Sequence, residues 1–130
     1  MELMSDPVFG EVDITATARE LACLASAIAE GTGFISAASA SSPNGHTLTG
    51  IEVKATTDSA VCIRVDAPTQ VLVISGNADS RAVLAENVHA MATADDGGHL
   101  HVDYFPGHPY LADGSLPLVI NSPHGGMPTR

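Results

Sequence analysis

The sequence predicts an α+β fold, a two-layer sandwich in which two helices pack on one face of a mainly antiparallel sheet. Three observations carry this. Short runs in which apolar and polar residues alternate recur along the chain, as half-buried strands require. Two longer segments repeat their apolar residues at helical spacing instead. The separators between the middle strands, Thr57-Asp58-Ser59 and Ala67-Pro68-Thr69, are both short enough for hairpins. The expected order is β-α-β-β-β-α-β, with a short final strand as a further element. At 130 residues the chain reads as a single domain, 1–130, able to build a core without disulfides, and no internal repeat is visible.

The first strand is expected over Val8 to Ile14, where Val8, Val12 and Ile14 alternate with Glu11 and Asp13. Thr15 or Thr17 can cap the helix that follows. Leu21, Leu24, Ala25 and Ile28 form its buried stripe and Gly31 its left-handed stop, so it runs from about Thr17 to Glu30. From Gly31 to Thr49 the composition turns to Gly, Ser, Ala, Thr, Pro and Asn, which predicts a long flexible loop, with His46 a solvated loop residue. Three strands are then expected as an antiparallel meander: Gly50 to Thr56, Ala60 to Asp66 and Gln70 to Ser75. In the last of these Val71 to Ile74 is apolar on both sides, the mark of a central strand covered on both faces. The covering could come from the long loop or from another protein. Asn77 or Asp79 caps a second helix with Leu84, Val88 and Met91 inside and Arg81, Glu86 and His89 on or beside its exposed face. Leu116 to Ile120 could supply the last strand, and 122–130 reads as a frayed tail.

Between the second helix and that last run lies Gly98 to Leu111, GHLHVDYFPGHPYL, with three of the six histidines and both tyrosines. Read as a strand to Phe105, it places His99, His101 and Asp103 on one face and Leu100, Val102 and Tyr104 on the other. Pro106-Gly107 ends the ladder, because proline has no N–H to donate and glycine permits a tight reversal. His108, Pro109 and Tyr110 are then displayed on a constrained arm, pinned by a tyrosine hydroxyl or a His108 ring nitrogen bonded to backbone.

Charge excludes one class of partner. Fifteen acids against five bases give a formal charge of −10, which disfavours nucleic acid, whose binding rests on clustered Lys and Arg, and favours a basic partner. Cys23 and Cys62 form no metal-type pair and are expected as buried free thiols. The acidic start, MELMSDP, lacks the basic opening of a signal peptide. The apolar run from Leu21 to Ala29 is too short for a bilayer, so no membrane partner and a cytoplasmic location are expected.

Catalytic signals are weak. There is no GxSxG elbow and no glycine-rich phosphate loop before a lysine, so the reading favours a protein that is not an enzyme. His99-x-His101 is the most suggestive spacing, because residues two apart on a strand project the same way about 7 Å apart, and His108 could swing in as a third ligand. No further His, Cys or Glu cluster accompanies them, so no metal and no cofactor are expected, and the histidines are read as surface or loop-pinning groups.

The runs VLVISG (Val71 to Gly76), A-x-L-A-E-N-V (Ala82 to Val88), HLHVDYFPGHPYL (His99 to Leu111) and SLPLVI (Ser115 to Ile120) resemble immunity protein family thirty-two of bacterial polymorphic-toxin systems. The resemblance covers roughly Gly50 to Ile120. It implies a small cytoplasmic protein that binds and neutralises a toxin domain without catalysis of its own. His101, Tyr104, Phe105, Pro106, His108, Pro109, Tyr110 and Leu111 carry over as a family signature only. Charge and alternation nominate Glu11, Asp13, Glu52, Asp66, His99, His101, Asp103, His108 and Tyr110 as residues that bind a basic toxin domain, and a homodimer is also open. The alternative reading is a metal-dependent or small-molecule-binding protein using His99, His101 and His108.

Overall fold

Helix α1 (Ala18–Glu30) shows how closely local sequence dictates the outcome. Thr17 caps it: the Oγ1 accepts from the Glu20 N–H at 3.1 Å, while the Glu20 carboxylate accepts from the Thr17 N–H at 2.9 Å. Leu21, Leu24, Ala25 and Ile28 are buried, and Gly31 ends the helix at φ 84, a conformation that costs glycine little. The computed structural model describes residues 2–5, 11–36, 48–66, 68–92 and 99–121. Over these the order is β1 (Glu2–Ser5), β2 (Val12–Thr15), α1, β3 (Thr32–Ser36), β4 (Gly50–Ala55), β5 (Cys62–Asp66), β6 (Val71–Gly76), α2 (Ala78–Ala92), β7 (His99–Val102) and β8 (Leu118–Asn121).

The fold is α+β with two helices and mainly antiparallel strands, as expected, but the strands divide into two sheets. One has the order β1-β2-β8-β7 and the other β3-β4-β6-β5. Each is built from two antiparallel hairpins joined through a parallel central pair, β2 with β8 and β4 with β6. The expected meander over the middle strands is corrected accordingly: β6 lies between β4 and β5. Its composition explains the place, since all six residues of β6 are buried and only a central strand is covered on both sides. The region expected as a loop over 31–49 contains β3, an edge strand. Its residues are exposed or half-buried throughout, so no apolar face announces it. Of the expected first strand Val8 to Ile14, β2 holds the end, residues 8–10 lie outside the described residues, and a further strand, β1, comes before it. The tail 122–130, most of the loop and His46 lie outside the described residues.

A single cluster holds the core. It combines Leu3, Val12, Ile14, Leu118 and Ile120 of one sheet with Ile51, Val53, Ile63, Leu72 and Ile74 of the other, and joins both to the inner faces of the helices. Each fully buried side chain of this size contributes about 1.5–3 kcal/mol.

Register shows an internal repeat that the sequence hides. The pairing of Leu3 with Ile14 returns sixty positions later as Ile63 with Ile74. The parallel pair Val12 and Leu118 has its counterpart in Leu72 and Ile51. The cap Thr17 has its counterpart in Asn77, whose Oδ1 accepts from the Ser80 N–H at 2.8 Å. Both long hairpins close with the same span, Ile35 to Ile51 and Val102 to Leu118. The chain is thus two ββαββ halves, each giving one hairpin to each sheet. Sequence identity is confined to a few places, among them Ala18, Ala22, Leu24 and Ala25 against Ala78, Ala82, Leu84 and Ala85.

The halves differ most at Leu21 and its counterpart Arg81. Expected on or beside the exposed side of α2, Arg81 is instead 5% exposed. Its Nε donates to the Gly76 carbonyl at 2.9 Å, and its Nη1 donates to the carbonyls of Ile28 at 2.8 Å and Ala29 at 3.1 Å. A guanidinium is tolerated there because its N–H groups find acceptors and its charge meets the negative end of the α1 dipole.

Candidate partner-binding surface

The arm is a fixed piece of architecture. The Phe105 carbonyl accepts from the His108 N–H at 2.9 Å, with Pro106 and Gly107 between them and Gly107 at φ 86, the conformation a type II turn demands at that position. The His108 ring then turns back on its own segment: its Nδ1 accepts from the N–H groups of Tyr110 at 3.2 Å and Leu111 at 3.0 Å. This is the pinning expected from the sequence. Tyr110 stands edge-on to that imidazole with ring centroids 4.6 Å apart, and its hydroxyl meets the Asn87 Nδ2 at 3.3 Å.

Beyond Tyr110 the chain runs along β5 and covers the edge of its sheet. The Val61 N–H donates to the Tyr110 carbonyl and the Ala112 N–H to the Val61 carbonyl, both at 2.7 Å; the Leu116 N–H donates to the Ile63 carbonyl at 2.9 Å. Ser115 adds a hydroxyl bond to the Val61 carbonyl and accepts from the Ile63 N–H, each at 3.2 Å. An open edge is a template for unwanted pairing, so the arm protects as well as connects.

These bonds decide what two of the nominated residues do. Tyr110 is buried and holds the arm to α2, and His108 is half-buried with one ring nitrogen committed to backbone. Both build the scaffold. His108 is therefore not swung toward His99 and His101, and among the described residues no three His, Cys, Asp or Glu side chains converge as a metal would require. Cys23 and Cys62 are free, but contrary to expectation Cys23 is exposed and Cys62 half-buried, each off the inner stripe of its element.

Register sorts the other seven. Asp13, Val119 and His101 lie level across β2, β8 and β7, and Thr15, Asn121 and His99 form the next row. Extending the ladder one step, where the Val12 N–H donates to the Pro117 carbonyl at 2.9 Å, sets Glu11 level with Pro117 and Asp103. Glu11, Asp13, His101 and Asp103 thus share the outer face of the first sheet, with the backbone of His99 in register beside Asn121. Next-but-one strands are about 10 Å apart, so Glu11 and Asp103 stand close enough for one partner to meet both. Met4 borders this face at 38% exposure. Asn121 Nδ2 donates to the Asp13 carboxylate at 2.6 Å and fixes its position. No Lys or Arg occupies this face among the described residues.

Glu52 and Asp66 stand on the other sheet. There Lys54 pairs with Glu52 at 3.8 Å and Arg64 lies on the same outer face, so the four charges balance. The single acidic face expected from the sequence is therefore two surfaces, of which only one is acidic. Sheet membership was the missing information, because alternation tells which side a residue takes but not which sheet its strand joins. Phe105 is not among the nominated contact residues, although its place in the 101, 103, 105 alternation and before Pro-Gly is visible in the sequence. Among the described residues no helix is long and apolar enough to cross a membrane.

The family model described as Immunity protein 32 matches residues 71–123. Those residues run from β6 through α2, β7 and the arm to β8, and over them the resemblance drawn from the sequence is borne out. No curated protein and no solved structure matches the chain.

Proposed function

We propose, taking residues 71–123 as those of an immunity protein of toxin systems, that this chain binds a basic toxin domain in the cytoplasm and neutralises it by contact. The family match carries the reading. The matched residues supply half of each sheet's central pair and the whole arm, so they include much of the scaffold on which a binding surface depends. The acidic face of the first sheet supports a partner of positive charge, because opposed fields speed encounter and fix orientation. Glu11, Asp13, His101 and Asp103 are the contact residues we assign to it, with His99 in register beside them.

Co-expression tests this. A bacterial strain that produces the toxin domain encoded by a neighbouring gene is expected to stop growing alone and to recover when the chain is supplied. The purified pair is expected to form a complex whose association slows as salt rises. Growth arrest that the chain does not relieve would refute the reading.

A further inference from the structure

We propose that the turn Phe105-Pro106-Gly107-His108 is the anchoring contact of this protein, with the Phe105 ring entering an apolar pocket of the toxin domain that is bordered by basic groups. This rests on the toxin-binding reading above. The chain has only five Phe and Tyr residues and no Trp, and among the described residues Phe105 is displayed on a turn at 53% exposure. The backbone beneath it is held by the bond between the Phe105 carbonyl and the His108 N–H. Its ring lies 4.7 Å from the imidazole that is itself tied to Tyr110 and Leu111. A side chain presented this way loses little freedom on docking, and exposed aromatic anchors dominate the energetics of interfaces. Nothing lies within 4 Å of where a Cβ on Gly107 would stand, so the turn projects into open space.

Charge complementarity sets the partner. His101, Asp103 and Phe105 are exposed, whereas Val102 is buried and Tyr104 half-buried, so the alternation of β7 carries on into the turn. Phe105 therefore continues the acidic face at the corner where Glu11 and Asp103 stand level. A pocket receiving it meets carboxylates at its rim. Phe34 is equally exposed at 56% but is spent differently: its ring lies over Gly50, where an added Cβ would fall 2.7 Å from the Phe34 Cζ. It sits on the charge-balanced sheet and makes a control.

The test compares three variants of the full chain by calorimetric titration with the neighbouring toxin domain. Phe105→Ala is expected to weaken binding about thirty-fold or more, the loss typical of a central aromatic contact, while its melting curve stays at the wild-type position. Gly107→Ala keeps the ring but strains the turn at φ 86, and is expected to weaken binding as well. Phe34→Ala is expected to bind as wild type. Wild-type affinity in Phe105→Ala, or a loss in Phe34→Ala alone, would overturn the assignment of the site and leave the toxin-binding reading standing. Failure of the wild-type chain to bind would overturn that reading and this proposal with it.

Discussion

Arg81→Ala is the most informative single perturbation of the fold. The guanidinium is the common partner of the Gly76 carbonyl at the end of β6 and the Ile28 and Ala29 carbonyls at the end of α1, and it is 5% exposed. Removing it leaves the Ile28 and Ala29 carbonyls facing a void, while the Gly76 carbonyl keeps the Thr56 N–H at 3.0 Å. A buried polar group stripped of its partner costs about 1–3 kcal/mol, and some of that cost is recovered where water reaches the helix end. The volume vacated by a long side chain adds a cavity cost. A loss of about 3 kcal/mol or more follows, equivalent to about 10 °C in Tm for a chain of this size. Urea denaturation followed by circular dichroism, with the m-value held constant, measures it. Arg81→Leu separates bonding from volume, because Leu21 fills the counterpart position in the other half. The apolar side chain restores bulk but offers no donor, so this variant is expected to recover less than half of the loss. An Arg81→Leu protein as stable as wild type would show that the three carbonyl bonds contribute nothing net and would refute the reasoning.

Gly31→Ala is expected to destabilise, because φ is 84 and the new methyl would lie 2.6 Å from the Arg81 Nη1. In the Arg81→Ala background the steric part of that loss should vanish, and a double-mutant cycle in thermal denaturation reads the non-additivity. His108→Ala removes the acceptor for the Tyr110 and Leu111 N–H groups and is expected to cost about 2 kcal/mol, measured by chemical denaturation. Amide exchange at Val61, Ala112 and Leu116 should speed up in that variant, since these N–H groups tie the arm to β5. Glu11→Lys combined with Asp103→Lys is expected to slow association with the toxin domain and flatten its salt dependence while leaving Tm unchanged, which stopped-flow measurements at several ionic strengths would show.

Local physics was legible in the sequence and partner choice was not. The cap at Thr17, the stripe Leu21, Leu24, Ala25 and Ile28, and the stop at Gly31 depend on neighbours within a few positions, so α1 was read with its ends in place. The His108 pin also spans only three residues. By contrast, the parallel pairing of Val12 with Leu118 joins positions from opposite ends of the chain, and nothing near either residue encodes the other. Strand β3 is hidden in the sequence for a different reason. At the edge of its sheet it buries no residue fully, so its alternation carried no contrast. Arg81 failed the usual rule that charge lies outside, because helix carbonyls and a strand end were there to receive it.

The exchange of hairpins between the halves decides how the proposed binding surface is composed. The outer face of the first sheet draws Glu11 and Asp13 from the first half and His101, Asp103 and Phe105 from the second, with β8 of the second half pairing directly with β2 of the first. Neither half carries that face alone. The counterpart face on the other sheet has the same backbone frame but different side chains, with Arg64 in place of Met4, Val73 in place of Asp13, Glu52 in place of Val119 and Lys54 in place of Asn121. One frame is therefore used twice, once with balanced charge and once without. Since the frame is common to both, the proposed selectivity for a basic partner would lie in those side chains and in the turn that follows Asp103, and exchanging Met4 and Asp13 for their counterparts is expected to weaken binding to the toxin domain while the core, built from the opposite face, stays intact.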